Sequence, residues 1–263
     1  MLGKLIKYDA INIYKLLVIF YILSVVFAAL TRLFFTINNS LIVDIIARVC
    51  SGITISMIIN IIINNLLRMW VRFRNNIYKD ESYLTHTLPV SKEKIYTAKF
   101  LTLIITMFTS MVVIGVTLFI AYYSKENMEI IKIILFPVAT AYGSTIINIL
   151  LVVLIVFLIE LITLLQAGFT GIIIGHKFNN NKLGKSVMFA SIAYMVCQFI
   201  IVIGLFVMGL FNKDIMFIFT TNPVLSVDMV KKLLYIALGL YSICIVINYM
   251  VNIKLFKQGV NVE

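Results

Sequence analysis

Glu160 is the one acid set deep inside an apolar run of this sequence, and a carboxylate there is the first residue whose chemistry needs explaining. Placing a charge at mid-membrane costs about 2.5–3.5 kcal/mol on insertion scales, so Glu160 requires a polar partner or an aqueous cavity. Two roles fit it equally: an acid that attracts cationic cargo, or a hydrogen-bonded structural glutamate. Gln166 and Asn148, on the same run, would extend one polar stripe along its helix. Asp44 and Arg48, four residues apart near the end of another run, predict an ion pair. Catalysis and metal binding find little material. His86 and His176 lie far apart with no H-E-x-x-H pattern, and Cys50, Cys197 and Cys244 have no metal-site spacing. Without a G-x-x-x-x-G-K-[ST] loop nothing cradles phosphates, so the chain is read as a non-enzyme with no catalytic residue, metal or cofactor of its own.

The second concentration of chemistry is the polar interval Arg68 to Lys99. Trp70 with Arg68, Arg72 and Arg74 predicts a membrane-interface anchor, the indole at headgroup level and the guanidinium groups toward phosphates. Asp80, Glu81 and Ser82 then precede Tyr83-Leu84-Thr85-His86-Thr87-Leu88, a short helix with acids at its positive end. Pro89 breaks the chain, and Ser91 caps a new helix with Glu93 in its first turn. A short helix presenting Tyr and Leu between two apolar runs suits protein docking. A solvated loop with incidental helicity is the bland alternative.

These residues must be held by a membrane-spanning body. Of the 263 residues 62% are hydrophobic and only 13% charged, with mean hydropathy +1.07, against about 25% charged in soluble domains. The net charge of +11 resides in loops flanking the apolar runs, where it sets topology rather than binding nucleic acid. Spans of about 20 residues cross about 30 Å of hydrocarbon, and they must be helices because lipid satisfies no backbone group. Six are predicted, at 16–35, 45–67, 100–122, 146–174, 187–211 and 233–253, in one all-α polytopic domain. Segment 2–14, with Leu2, Leu5, Ile6, Ala10 and Ile13 opposite Lys4, Lys7, Asn12 and Lys15, predicts an interfacial amphipathic helix. The first run continues past Val26-Phe27-Ala28 and is read as a retained span.

Fifteen of the lysines and arginines fall on one side of this arrangement and seven on the other. The positive-inside rule then puts both termini and the polar interval in the cytosol. The apolar stretch from Ile133 to Gly175 would reach about 64 Å as one helix, twice the hydrocarbon thickness. Breaks are expected at Pro137 and Gly143, with an outer amphipathic or re-entrant piece over 128–142. Gly171-x-x-x-Gly175 permits a close helix approach.

The run Asp80-Glu81-Ser82-Tyr83-Leu84-Thr85-His86-Thr87-Leu88-Pro89-Val90-Ser91 resembles the DE-x-YL-x-x-TLPVS stretch of type-2 ABC transporter permeases from low-GC Gram-positive bacteria. The amphipathic start and six spans fit the same resemblance. It implies that 75–98 is a cytosolic coupling region between the second and third spans. Its helix would dock into a separate ABC ATPase, two copies of which bind ATP and Mg. Asp80, Glu81, Ser82, Tyr83, Leu84, Thr85, His86 and Leu88 would form that interface. A second permease copy or a paralogue would complete the membrane unit in the bacterial plasma membrane. The implied function is export of an amphipathic or hydrophobic substrate, such as a peptide toxin, lantibiotic or antimicrobial peptide. A secondary transporter or channel without an ATPase is the competing reading, and it would draw on Glu160. An intramembrane enzyme would need paired acids and histidines within the spans, which are not there.

Overall fold

The structure is a computed structural model that describes residues 2–37, 40–216, 219 and 227–259. Every regular element among them is helical. In chain order these are α1 (Leu2–Ile37), α2 (Leu41–Tyr78), α3 (Ser82–Thr87), α4 (Lys92–Tyr122), α5 (Lys125–Ala141), α6 (Ile146–Gly175), α7 (Lys182–Phe211), α8 (Lys213–Met216) and α9 (Val227–Lys257). Six of them, α1, α2, α4, α6, α7 and α9, are long and apolar enough to cross a membrane. The six expected spans lie inside these six helices, so the chain is a multi-pass helical membrane protein.

The helices form two compact units. The first comprises residues 1–76 and 83–130, the second residues 77–82 and 131–263.

In the first unit α1 packs along α4, and small hydroxyl residues line the seam. Tyr14 meets Thr109 at 2.7 Å, Tyr21 meets Ser110 at 2.7 Å, and Ser24 meets Thr117 at 3.2 Å. Thr31 reaches Thr54 of α2 at 3.1 Å. Asn65 of α2 donates to the Thr106 carbonyl and to Ser110 Oγ of α4. Hydroxyl and amide pairs are the adhesive available between helices where lipid removes the hydrophobic drive, each contributing about 0.6 kcal/mol on average.

The N-terminal segment differs from expectation. No separate interfacial helix forms at 2–14; α1 runs unbroken for 36 residues. The reason is Asp9, which is buried together with Ile13 and Leu17 on one face of α1. Its Oδ2 lies 2.6 Å from Lys99 Nζ of α4 and its Oδ1 lies 3.3 Å from Arg72 Nε of α2. A carboxylate held between two cations ties the start of α1 to the bundle. The same pair corrects the anchor assignment, since Arg72 turns inward to Asp9 rather than toward lipid phosphate. Arg68, Trp70 and Arg74 are half-buried.

In the second unit α6 packs against both α7 and α9. The α6–α7 approach is set by two glycines. A Cβ on Gly171 would collide with the backbone of Ser186 and Ala190, and one on Gly175 with Ser186. The Gly171-x-x-x-Gly175 pattern is therefore a packing surface. Asn181, in the left-handed region at φ 48°, turns the chain between them and accepts from the Gly184 N–H. The long apolar stretch breaks at Gly143, whose φ is +57°. Pro137 lies within α5 and does not interrupt it.

Lys99→Met leaves the buried Asp9 with Arg72 alone and is expected to cost about 3–5 kcal/mol, with Asp9→Asn in the same chain restoring most of that. Thermal denaturation in detergent reads both. By the same assay Gly175→Leu should abolish the folded species, whereas Gly115→Ala, with open space around the added methyl, should match the wild type.

Candidate functional site

Two places gather the polar side chains expected to act. One is the interval that joins α2 to α4. The helix α2 has 38 residues, about 57 Å of rod, so roughly half of it exceeds the hydrocarbon thickness. Its last turn enters the second unit, where Ile77 and Tyr78 are fully buried. The Tyr78 ring stacks on His176 with centroids 4.3 Å apart and planes at 27°. His176 follows the last turn of α6, and its Nδ1 lies 2.9 Å from the Ile172 carbonyl, which fixes the tautomer with Nδ1–H donating. Ser186 Oγ lies 3.4 Å from the same nitrogen. His176 thus packs at the end of α6.

The chain then turns through a Ser82 N–H to Lys79 carbonyl bond of 2.7 Å and forms α3, six residues long. The residues assigned to docking separate onto two faces. Ser82 and Thr85, one turn apart, are buried. Tyr83 and Leu84 are 77% and 68% exposed, the values that make an apolar docking face, and Leu88 is exposed after the helix ends. Asp80 is exposed, while Glu81 and His86 are half-buried. Leu88-Pro89-Val90 bends the chain, and α4 begins after Ser91. Ser91 occupies the N-cap position with extended backbone, but its side chain makes no capping bond; the Ser91 carbonyl accepts from the Ile95 N–H instead.

The second place surrounds Glu160. Its Oε1 accepts from Tyr194 Oη and, at 3.1 Å, from Gln198 Nε2, both on α7. Gln198 Oε1 in turn accepts from Tyr241 of α9 at 3.0 Å. Four polar side chains from three helices thus converge within the membrane-spanning part of the second unit. Among the described residues Glu160 Oε2 is buried with no hydrogen bond of full geometry, although the Tyr241 hydroxyl lies within interaction range of the carboxyl. Ionised, that oxygen wants a donor or a cation; protonated, it wants an acceptor. Either way the cluster lacks one member, and an orphaned buried polar atom costs about 1–3 kcal/mol.

The single polar stripe does not exist. Six residues of helix turn about 600°, which places Gln166 about 120° from Glu160 rather than beneath it. Gln166 lies beside α9, where Thr170 Oγ1 donates to Asn252 Oδ1 at 2.8 Å, and among the described residues neither polar atom of its own buried side-chain amide has a hydrogen-bond partner. Asn148 is exposed at the start of α6, far from either. Asp44 and Arg48 do pair, at 3.0 Å, on an exposed surface.

Several participants were missed. Asp9 sits four residues before Ile13 and eight before Leu17, an acid on the apolar face of an amphipathic helix, and that misplacement was a readable signal. Tyr194 and Gln198 share the i, i+4 spacing that puts two polar groups on one face of a span. Tyr241 carried no local signal. Among the described residues no group of His, Cys, Asp and Glu could hold a metal ion.

No family model, curated protein or solved structure matches this chain.

Asp9, buried, and Glu160, half-buried, should respond differently to loss of charge. Glu160→Leu removes an orphaned oxygen and the acceptor of two half-buried neutral donors, Tyr194 and Gln198, which can re-pair with each other, and is expected to leave thermal stability within about 1 kcal/mol of wild type. Asp9→Leu removes the carboxylate that Lys99 and Arg72 share and should lose about 3–5 kcal/mol. An equal loss for Glu160→Leu would make that residue scaffolding.

Proposed function

We propose that this chain is the membrane-spanning subunit of an ATP-driven exporter whose ATPase is a separate polypeptide, of the type-2 ABC permease kind. One observation carries the reading: a short helix, α3, presents Tyr83 and Leu84 outward from the polar interval between the second and third membrane-crossing helices. Exposed aromatic and aliphatic side chains on a loop-borne helix have no reason to be there in water unless something covers them. The resemblance of Asp80 to Ser91 to the coupling stretch of such permeases supplies the partner, an ABC ATPase in two copies. On this reading both termini and α3 are cytosolic, the membrane is the bacterial plasma membrane, and a second permease copy or paralogue completes the pathway.

ATP binding would draw the two ATPases together and pull on α3, and the spans would reorient around the cargo. Spans with few charges suit an amphipathic or hydrophobic substrate, a peptide toxin or antimicrobial peptide among them. Glu160 adds a preference for cationic cargo, because an orphaned carboxylate oxygen favours a donor over another acceptor. The same residue is what favours the rival reading, a proton- or cation-coupled secondary transporter, which would move substrate without nucleotide.

Co-expression with a candidate ABC ATPase subunit, followed by purification through a tag on the chain, tests the proposal. Wild type should retain the ATPase, and Tyr83→Ala with Leu84→Ala should weaken retention about tenfold or more, the loss typical of interface hot spots. Equal retention removes α3 as the interface. Transport into vesicles driven by a pH gradient alone would favour the rival.

A further inference from the structure

Beside the first turns of α6, at the end remote from His176, the second unit holds a cavity of about 460 Å³. That volume is typical of a small-molecule site. Its walls come from the end of α5, the turn at Tyr142–Ser144, the start of α6 and the start of α9. Val138, Ile149, Val152 and Leu234 give it an aliphatic interior, and Asn148 and Lys231 supply polar groups. Among the described residues Lys231 is the one charged residue in the lining. Its Nζ donates to the Tyr142 carbonyl at 2.8 Å. That bond uses one of three ammonium protons, so the remaining donors and the whole positive charge stay available.

The cavity has a second property. Leu151 and Val153 line it and are also 51% and 55% exposed, so its apolar wall runs without interruption onto the outer, lipid-facing surface of α6. Tyr142 and Tyr235 at the rim are of the kind that settle at headgroup level. A ligand matched to this shape has an anionic head beside Lys231 and a hydrocarbon tail along α6.

We propose that this cavity is a binding site for an anionic phospholipid, with the phosphate at Lys231 and Asn148 and one acyl chain along Leu151 and Val153. The site is independent of any ATPase and of the cargo. It explains why a lysine enters an aliphatic cavity instead of extending into water: the lipid phosphate neutralises it. A bare structural role, in which Lys231 only satisfies the carbonyl that ends α5, needs the hydrogen bond and not the charge.

Lys231→Gln separates the two, because the amide can still donate to Tyr142 while the charge is gone. The full chain is reconstituted in nanodiscs containing trace phosphatidylglycerol or phosphatidylcholine, each bearing the same photoreactive acyl chain, and labelled peptides are mapped by mass spectrometry. The expected result for wild type is labelling centred on 148–153 and 231–235, with phosphatidylglycerol favoured about fivefold, the preference one lysine gives at a membrane surface. Lys231→Gln should bring that ratio to about one while phosphatidylcholine labelling persists. Leu151→Trp should reduce labelling by both lipids. Equal labelling by the two lipids in wild type would overturn the proposal, and so would a preference that survives Lys231→Gln. Loss of the preference on adding glycerol phosphate would also overturn it, by showing that the cavity takes a soluble anion and not a lipid.

Discussion

Hydrocarbon offers no hydrogen bonds, so each polar group taken into it must find its partner within the protein, and this one requirement orders most of what the chain does. It makes every membrane-crossing element a helix. It also makes the side-chain seams of the first unit polar rather than greasy, with hydroxyls of α1 meeting hydroxyls of α4 at intervals of one or two turns. Thr31 and Thr54, Ser24 and Thr117, and Asn65 with Ser110 are each modest in energy. Together they specify which face of each helix meets which, a job that leucines among lipid tails could not do.

Asp9 and Glu160 show the requirement met fully and met in part. Asp9 has a cation on each oxygen and leaves nothing to add. Glu160 has two neutral donors on one oxygen and no hydrogen bond of full geometry on the other. The first is accounted for by folding alone. The second imposes a cost that folding does not recover, and such costs concentrate where a protein handles something other than itself. The contrast in partners is what makes Glu160 a candidate for function.

How much of this was visible in the residues depends on the range of the interaction. The six spans were legible because hydropathy is local and lipid imposes a length. The break at Gly143, the Asp44–Arg48 pair and the bend at Pro89 were legible for the same reason, each being decided within a few residues. The N-terminal helix was misjudged because its fate turns on Lys99, ninety residues away, and on Arg72. A charge of the right sign elsewhere in the chain pulled the segment into the bundle. Around Glu160 the need for partners was evident, but their identity was not, since Tyr194 and Tyr241 come from other helices. The supposed polar stripe failed on arithmetic that the sequence already contained: six residues are not a whole number of turns.

The glycines of α6 have one more consequence. With Ser186 and Ala190 pressed against bare Cα atoms at two successive turns, α6 and α7 cannot slide or roll past one another without steric overlap, so they behave as a single beam. The contact of α9 with α6 has no such interlock at Asn252: there it is made by side-chain hydrogen bonds to Thr170 and the Gln166 carbonyl, which constrain sliding less than bare backbone contact does.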